Sequence, residues 1–279
     1  MSALRIASVG FLNARPLVWG FKLAPRPDRY LVSECTPAAC AERLAAGAAD
    51  VALIPCIEYQ RIPGLRVLPG IAIASRRRAR SVLLISRVAA PEIRRVALDT
   101  SSRTSVALTR IWLDRRARNR VEYREAAPRF PAMLEGFDAA LLIGDVALRA
   151  DTRDFRVYDL AEQWFEMTGL PFVFAFWAAR SGVRLPEGIH PFVASRKLGL
   201  ESLSAIAREE SVNLGLPEPM LETCLRENIH YDLGDEEIRS LWLFYRLARE
   251  AGLVASAREL TFHDSAPVRD RTARAAEMT

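Results

Sequence analysis

Asp99-Thr-Ser-Ser-Arg-Thr-Ser-Val-Ala-Leu108 decides how the rest of the chain is read. The apolar run before it, Arg95-Val-Ala-Leu98, predicts a strand. After it, Val106-Ala-Leu-Thr-Arg-Ile-Trp-Leu113 carries apolar residues at helical spacing. A loop of hydroxyl side chains therefore stands at a strand-to-helix junction. The first N–H groups of a helix have no acceptor within it and point forward. The helix dipole reinforces them, so Ser102, Thr104 and Ser105 beside those amides make a place for an anion. Arg103 in the same loop can add a two-pronged contact to a carboxylate. Ser and Thr also cap helices where no ligand binds, and the loop alone leaves both readings open.

Outward from the loop, the same kind of junction recurs. Leu4 to Val9 predicts a first strand, followed by Gly10-Phe-Leu-Asn-Ala-Arg-Pro-Leu17. Gly10 permits a tight turn and Pro16 suits a first helical turn. Asn13 then sits at the C-terminal mouth of a strand, where open α/β sheets bind ligands, or it caps the helix. Thr36-Pro37 predicts an N-cap and first helical position, with the helix running to about Ala46 and Gly47 as its stop. Asp50-Val-Ala-Leu-Ile-Pro55 reads as a buried strand, and Cys56-Ile-Glu-Tyr59 follows its C-terminal end. This alternation predicts a parallel sheet.

Leu65 to Ser75 and Ser81 to Ser86 are two apolar extended runs, the second read as a strand leaving the first domain. A second series follows: strand 95–99, helix 104–116, strand 121–126, a short helix near 130–135 and strand 138–143. The last ends in Gly144-Asp145. Gly144 allows close backbone approach to a ligand, and Asp145 is a helix cap or a polar contact to substrate. Thr168-Gly169 ends a helix, and Pro171 opens a strand to Arg180 that returns the chain to the first domain. The aromatics between Trp164 and Trp177 either wall a ring-shaped substrate or fill core. From His190 onward the pattern is helical, with stripes over 195–214, 217–227 and 235–251. The expected division is lobe I from 1–86 and 178–265, lobe II from 87–177, and a disordered polar tail from 266–279.

Composition sets bounds. The 279 residues are 50% hydrophobic, enough for a large core, and contain no apolar run long enough to cross a bilayer. The N-terminus enters a strand pattern at once, without the features of a signal peptide, so a cytoplasmic protein is expected. The four cysteines, Cys35, Cys40, Cys56 and Cys224, form no CxxC pair; neither zinc nor disulfides are expected, and the thiols read as small buried apolar groups. His190, His230 and His263 are scattered and form no ligand spacing. A net charge of +5, spread along the chain, is a weak argument for nucleic acid and is compatible with a small anion. The densest basic spot, Arg76-Arg77-Arg78-Ala-Arg80, reads as a solvated turn.

Two α/β halves joined by two crossing strands resemble the type II periplasmic-binding-protein fold. The expected class is thus α/β, with two lobes, two crossover strands and a helical C-terminal region. The motifs narrow the resemblance. Ser8-Val-Gly-Phe-Leu-Asn-Ala-Arg-Pro-Leu17, Asp50-Val-Ala-Leu-Ile-Pro55 with Glu58-Tyr59, Ser81-Val82, Leu98-Asp99 with Ser102-Arg-Thr-Ser105, Leu142-Ile-Gly-Asp145 and Thr168-Gly-Leu-Pro-Phe-Val-Phe174 resemble the MqnA family, the chorismate dehydratases of the futalosine route to menaquinone. They do so in order, over roughly residues 4 to 250. Cys56 stands where a serine is expected.

The resemblance implies loss of water from chorismate to give 3-[(1-carboxyvinyl)oxy]benzoate, with no cofactor and no metal. The implied partner is this small molecule, with neither nucleic acid nor membrane. It also implies Asn13 and Ser81 beside the reacting ring, with Ser102, Arg103, Thr104, Ser105, Gly144, Asp145, Cys56, Thr168 and Gly169 as substrate contacts. No His or Glu base stands out. The enolpyruvyl carboxylate of chorismate can itself take the proton, with Asn13 orienting it. One rival is 1,4-dihydroxy-6-naphthoate synthase of the same pathway. That family typically carries a His-Glu pair just after the strand where this chain has Gly144-Asp145. The other rival is a non-catalytic cytoplasmic anion-binding protein.

Overall fold

The computed structural model describes residues 3–263. The chain begins with strand β1 (Leu4–Val9), a 3-10 turn and helix α1 (Arg15–Leu23). Strand β2 (Tyr30–Cys35), helix α2 (Pro37–Ala45), strand β3 (Val51–Pro55), the short α3 (Glu58–Arg61) and strand β4 (Leu65–Ser75) follow. Then come β5 (Val82–Ser86), β6 (Arg95–Asp99), α4 (Thr104–Leu113), β7 (Glu122–Ala126), β8 (Ala139–Ile143) and the one-and-a-half-turn α5 (Gly144–Arg149). Strand β9 (Arg156–Asp159), α6 (Leu160–Thr168) and β10 (Phe172–Arg180) complete the α/β part. Four helices follow among the described residues: α7 (His190–Glu201), α8 (Leu203–Leu214), α9 (Glu218–Thr223), which runs into a π-helical turn, and α10 (Asp235–Glu250).

The strands form two five-stranded sheets of the same plan, ordered β2-β1-β3-β10-β4 and β7-β6-β8-β5-β9. In each, three parallel strands are followed by an antiparallel one that enters from the other half of the chain. β10 pairs with β3 and β4 in the first sheet, and β5 pairs with β8 and β9 in the second. These are the two crossings.

Their sheet membership differs from the sequence reading. Val82–Ser86, assigned to lobe I, lies in the second sheet, and all of Phe172–Arg180, split at residue 177, lies in the first. An apolar run reports burial on both faces, as all five residues of β5 show, but does not say which sheet buries it. Strands β2 and β9 carry no clear alternation in the sequence; both are sheet edges whose side chains are mostly exposed. The stripe over 195–214 is two helices, interrupted at Ser202. The short helix near 130–135 is a 3-10 turn at Ala132–Leu134. The tail from 266 lies outside the described residues.

One helix contact fixes the start of the chain. A Cβ on Gly199 of α7 would lie 2.0 Å from the Pro16 carbonyl oxygen, so only glycine allows α7 to seat on α1 at this distance. Beside it, the Ser195 hydroxyl donates to the Leu17 carbonyl at 2.9 Å and accepts the Gly20 N–H at 3.0 Å. The Asn13 turn is therefore anchored from behind. Helix α4 is buried nearly all round, because it packs on α6, α10 and β10 at the seam between the two halves.

Candidate active site

The C-terminal ends of β1, β3, β6 and β8 face one another across the seam, and a cavity of about 50 Å³ lies between them. Its walls include Phe11, Asn13, Ser102, Thr104, Ser105 and Phe174. Pro37 brings in the start of α2, and Gly144 the start of α5. The hydroxyl loop does not cap the helix that follows it. The N-cap of α4 is Arg103, and no side chain caps that helix. Asn13 does not cap α1 either: its N-cap is Ala14, again without a side-chain bond.

What shapes the loop is Asp99, a buried carboxylate at the end of β6. One oxygen accepts the Ser101 N–H at 2.8 Å and the Ser101 hydroxyl; the other accepts the Ile143 N–H at 3.2 Å. A single side chain thus folds the loop and ties it to the end of β8. Burial pushes the Asp99 carboxyl above the usual carboxylate range, against the pull of the Ser101 bonds.

The two halves touch through hydrogen bonds that cross the seam. The Leu12 N–H donates to Asp145 Oδ1 at 2.9 Å, and the Ile57 N–H to Thr104 Oγ1 at 3.3 Å. The Ala38 N–H donates to the Ser101 carbonyl at 3.2 Å, and Arg103 reaches Glu42 at 3.3 Å. The cleft is shut. Gly144 completes the closure at φ +61°, where a Cβ would meet the Phe11 ring at 2.5 Å, and its N–H donates to the Ser81 carbonyl at 2.7 Å.

The sequence-predicted residues divide as follows. Asn13, Ser102, Arg103, Thr104, Ser105 and Gly144 line the cavity. Ser81 is buried beside it, next to the lining residue Val82. The Asn13 Oδ1 and the Ser81 hydroxyl are buried with no hydrogen-bond partner among the described residues. Buried hydroxyls of Ser8 and Ser75, at the ends of β1 and β4, share that condition and were not anticipated. Asp145 is spent on the Leu12 N–H, and burial pushes its carboxyl up. Cys56 lies behind the wall. Its thiol donates to the Val173 carbonyl at 3.1 Å, and burial pushes it up to about 12.

Thr168 and Gly169 are not among the lining residues. The Thr168 hydroxyl donates to the Trp164 carbonyl at 2.8 Å and accepts the Leu170 N–H, and Gly169 ends α6 in the left-handed region. Their polar groups close a helix. Phe11, inside the Gly10–Leu17 motif, is a further lining residue, one that carries no polar signal in the sequence. Among the described residues, those lining the cavity include no carboxylate, imidazole or thiol. Nor do the described residues contain a group of three or more His, Cys, Asp or Glu able to hold a metal ion. None of the described helices is long and apolar enough to cross a membrane.

Comparison with known proteins places the chain in a family and a fold. Residues 4–250 match a family model described as menaquinone biosynthesis. A chorismate dehydratase of Thermus thermophilus is 32% identical over 254 residues, covering 84% of this chain and 91% of that protein. Among solved structures, a protein of Archaeoglobus fulgidus superimposes with a TM-score of 0.77 at 16% identity, covering 91% of this chain and 99% of its own. The periplasmic aliphatic sulphonate binding protein of Escherichia coli gives 0.64 at 17% identity, covering 95% of this chain and 94% of its own. The architecture is that of a periplasmic-binding-protein-like fold, and by its sequence over nearly its whole length the chain belongs to the menaquinone-biosynthesis family that includes the Thermus chorismate dehydratase.

Proposed function

We propose that this protein is a chorismate dehydratase, a cytoplasmic hydro-lyase working without a cofactor on one small molecule. The observation that carries the reading is the pair of buried, unpartnered oxygens on Asn13 and Ser81, set beside the hydroxyl loop of Ser102 to Ser105. Each buried polar group left unpaired costs about 1–3 kcal/mol. A cleft that keeps several of them is built to be completed by a polar ligand.

Chorismate fits that demand. It carries two carboxylates on a small ring. The first amides of α4 with the Ser102 and Ser105 hydroxyls receive one carboxylate, where the helix dipole favours negative charge. Asn13 and Ser81 face the ring and its enolpyruvyl side chain. That carboxylate takes the proton from the ring carbon bearing the ether. The electron pair of the broken C–H bond forms the new ring double bond, and the neighbouring hydroxyl departs with the proton as water. Aromatisation supplies the driving force. The enzyme's part is to hold the side chain over the proton and to exclude solvent. A lining without a carboxylate or imidazole supports this division of labour.

The 50 Å³ cavity has room for a few waters but not for a dianionic ring, so the lobes part to admit substrate and close over it. Incubation of the purified protein with chorismate tests the proposal. Loss of the diene absorbance and appearance of the aromatic enol ether are expected. Folded protein that leaves chorismate unchanged refutes it.

A further inference from the structure

The sequence reading expected no disulfide, yet two of the four thiols stand together. Cys35, at the end of β2, and Cys40, one turn into α2, hold their sulfurs 3.2 Å apart. Cys35 is partly exposed and Cys40 is buried. The other thiols have no such neighbour: Cys56 faces the Val173 carbonyl and Cys224 the Ala79 carbonyl. We propose that Cys35 and Cys40 form a reversible oxidation site behind the start of α2, whose Pro37 lines the cleft, closing to a disulfide with hydrogen peroxide and slowing turnover when closed.

The local chemistry assigns each sulfur a role. A hydrogen bond from the Cys40 thiol, with Arg43 nearby, favours the Cys35 thiolate and lowers it to about 7, while the same bond and burial hold Cys40 protonated. Exposure and thiolate character together select Cys35 as the attacking sulfur. It displaces hydroxide from peroxide: an S–O bond forms, the O–O bond breaks, and the hydroxide gains a proton to leave as water. Cys40 then attacks the sulfenic sulfur. The S–S bond forms, the S–O bond breaks, and the second water leaves with the Cys40 proton. Two thiols and one peroxide give one disulfide and two waters.

The position makes the event felt at the site. The Cys35 carbonyl accepts the Gly10 N–H at 3.0 Å, at the root of the turn that carries Asn13. Thr36 caps α2, Pro37 lines the cavity, and the Ala38 N–H donates across the seam to Ser101. Bringing the sulfurs to bonding distance, about 2.0 Å, draws the end of β2 and the first turn of α2 together by roughly 1 Å. A displacement of about 1 Å passed on to the reacting groups costs up to roughly a hundredfold in rate.

The activity half of this proposal rests on the dehydratase reading; the disulfide half does not. The whole protein is treated with hydrogen peroxide, remaining thiols are alkylated after denaturation, and intact mass and peptides are measured alongside chorismate turnover. The expected result is loss of two hydrogens, a Cys35–Cys40 crosslinked peptide, alkylated Cys56 and Cys224, and a fall in kcat/KM that thiol reductant reverses. Cys35→Ser and Cys40→Ser are each expected to keep turnover and to resist the fall, and Cys40→Ser to accumulate a dimedone-reactive sulfenic acid at Cys35. Absence of the crosslink, or equal oxidation of Cys56 and Cys224, overturns the site. A crosslink with unchanged kcat/KM overturns its link to the cleft. Reduced, folded protein that does not turn over chorismate counts against the dehydratase reading alone, since the mass measurement still decides the disulfide.

Discussion

Asp145→Ala tests how closure is held. In the shut cleft the Leu12 N–H donates to Asp145 Oδ1 at 2.9 Å, and Leu12 is 1% exposed. Alanine removes the acceptor and leaves a buried N–H unpaired only in the closed form; once the lobes part, that N–H reaches water. The penalty, about 1–3 kcal/mol for such a group, therefore falls on closure and not on folding of the lobes. That range corresponds to a roughly 5- to 150-fold loss of the closed population. Part is returned, because alanine also removes a carboxylate that burial disfavours, so the lower half of the range is expected. Asp145→Asn keeps an oxygen in place without the charge, and it is expected to recover most of the loss. Steady-state kinetics with chorismate give kcat/KM for the three proteins, and thermal melts establish that each is folded. A folded Asp145→Ala protein with unchanged kcat/KM refutes the latch.

Three further outcomes are expected. Asn13→Ala should fold normally and lose more in kcat than in chorismate affinity, read by comparing turnover with equilibrium binding; equal losses would reduce Asn13 to a binding residue. Gly144→Ala places a Cβ at φ +61°, 2.5 Å from the Phe11 ring, so closure should weaken by about 1–3 kcal/mol and kcat/KM should drop accordingly. The Asp50 carboxylate is held by Arg5 and Arg180, and its bond to Arg5 lowers it from 3.8 to about 2. A depressed acid stabilises the fold above its ordinary value and loses that contribution as pH falls between those two values. Urea midpoints measured against pH should decline over that window and decline less in Asp50→Asn.

Much of this molecule was legible because its signals are local. The Asp99 to Leu108 stretch announces a strand end, a hydroxyl loop and a helix start within ten residues, and the structure has all three. Alternation of strands and helices sufficed for two α/β halves. What the local pattern leaves undecided is set by three-dimensional neighbours. The apolar run at Val82–Ser86 looks the same whether its neighbours are β3 and β4 or β8 and β9. Thr168-Gly169 reads alike as a ligand loop or a helix end, and in the structure the Thr168 hydroxyl bonds Trp164 and Leu170 at the end of α6. Cys35 and Cys40 lack the familiar CxxC spacing, yet a strand end followed by a helix start brings their sulfurs together.

The same consideration removes the capping reading of these side chains. A polar residue at a helix start has two uses, to cap that helix or to point away from it. Thr36 and Asp159 show the first: each side chain accepts N–H groups from the helix it precedes. Asn13, Ser102 and Ser105 stand at equivalent junctions and cap nothing. The Thr104 hydroxyl turns to the opposite lobe and takes the Ile57 N–H. If capping were the purpose, these oxygens would be satisfied within their own helix and indifferent to whether the lobes meet. Instead they remain for a ligand or for closure, and closure brings them to one cavity. The helices are stable without those caps because they are packed: α1 against α7 through Gly199, and α4 on three sides. Tertiary packing thus releases the hydroxyls and the Asn13 amide from holding helices together and leaves them at one shared cavity.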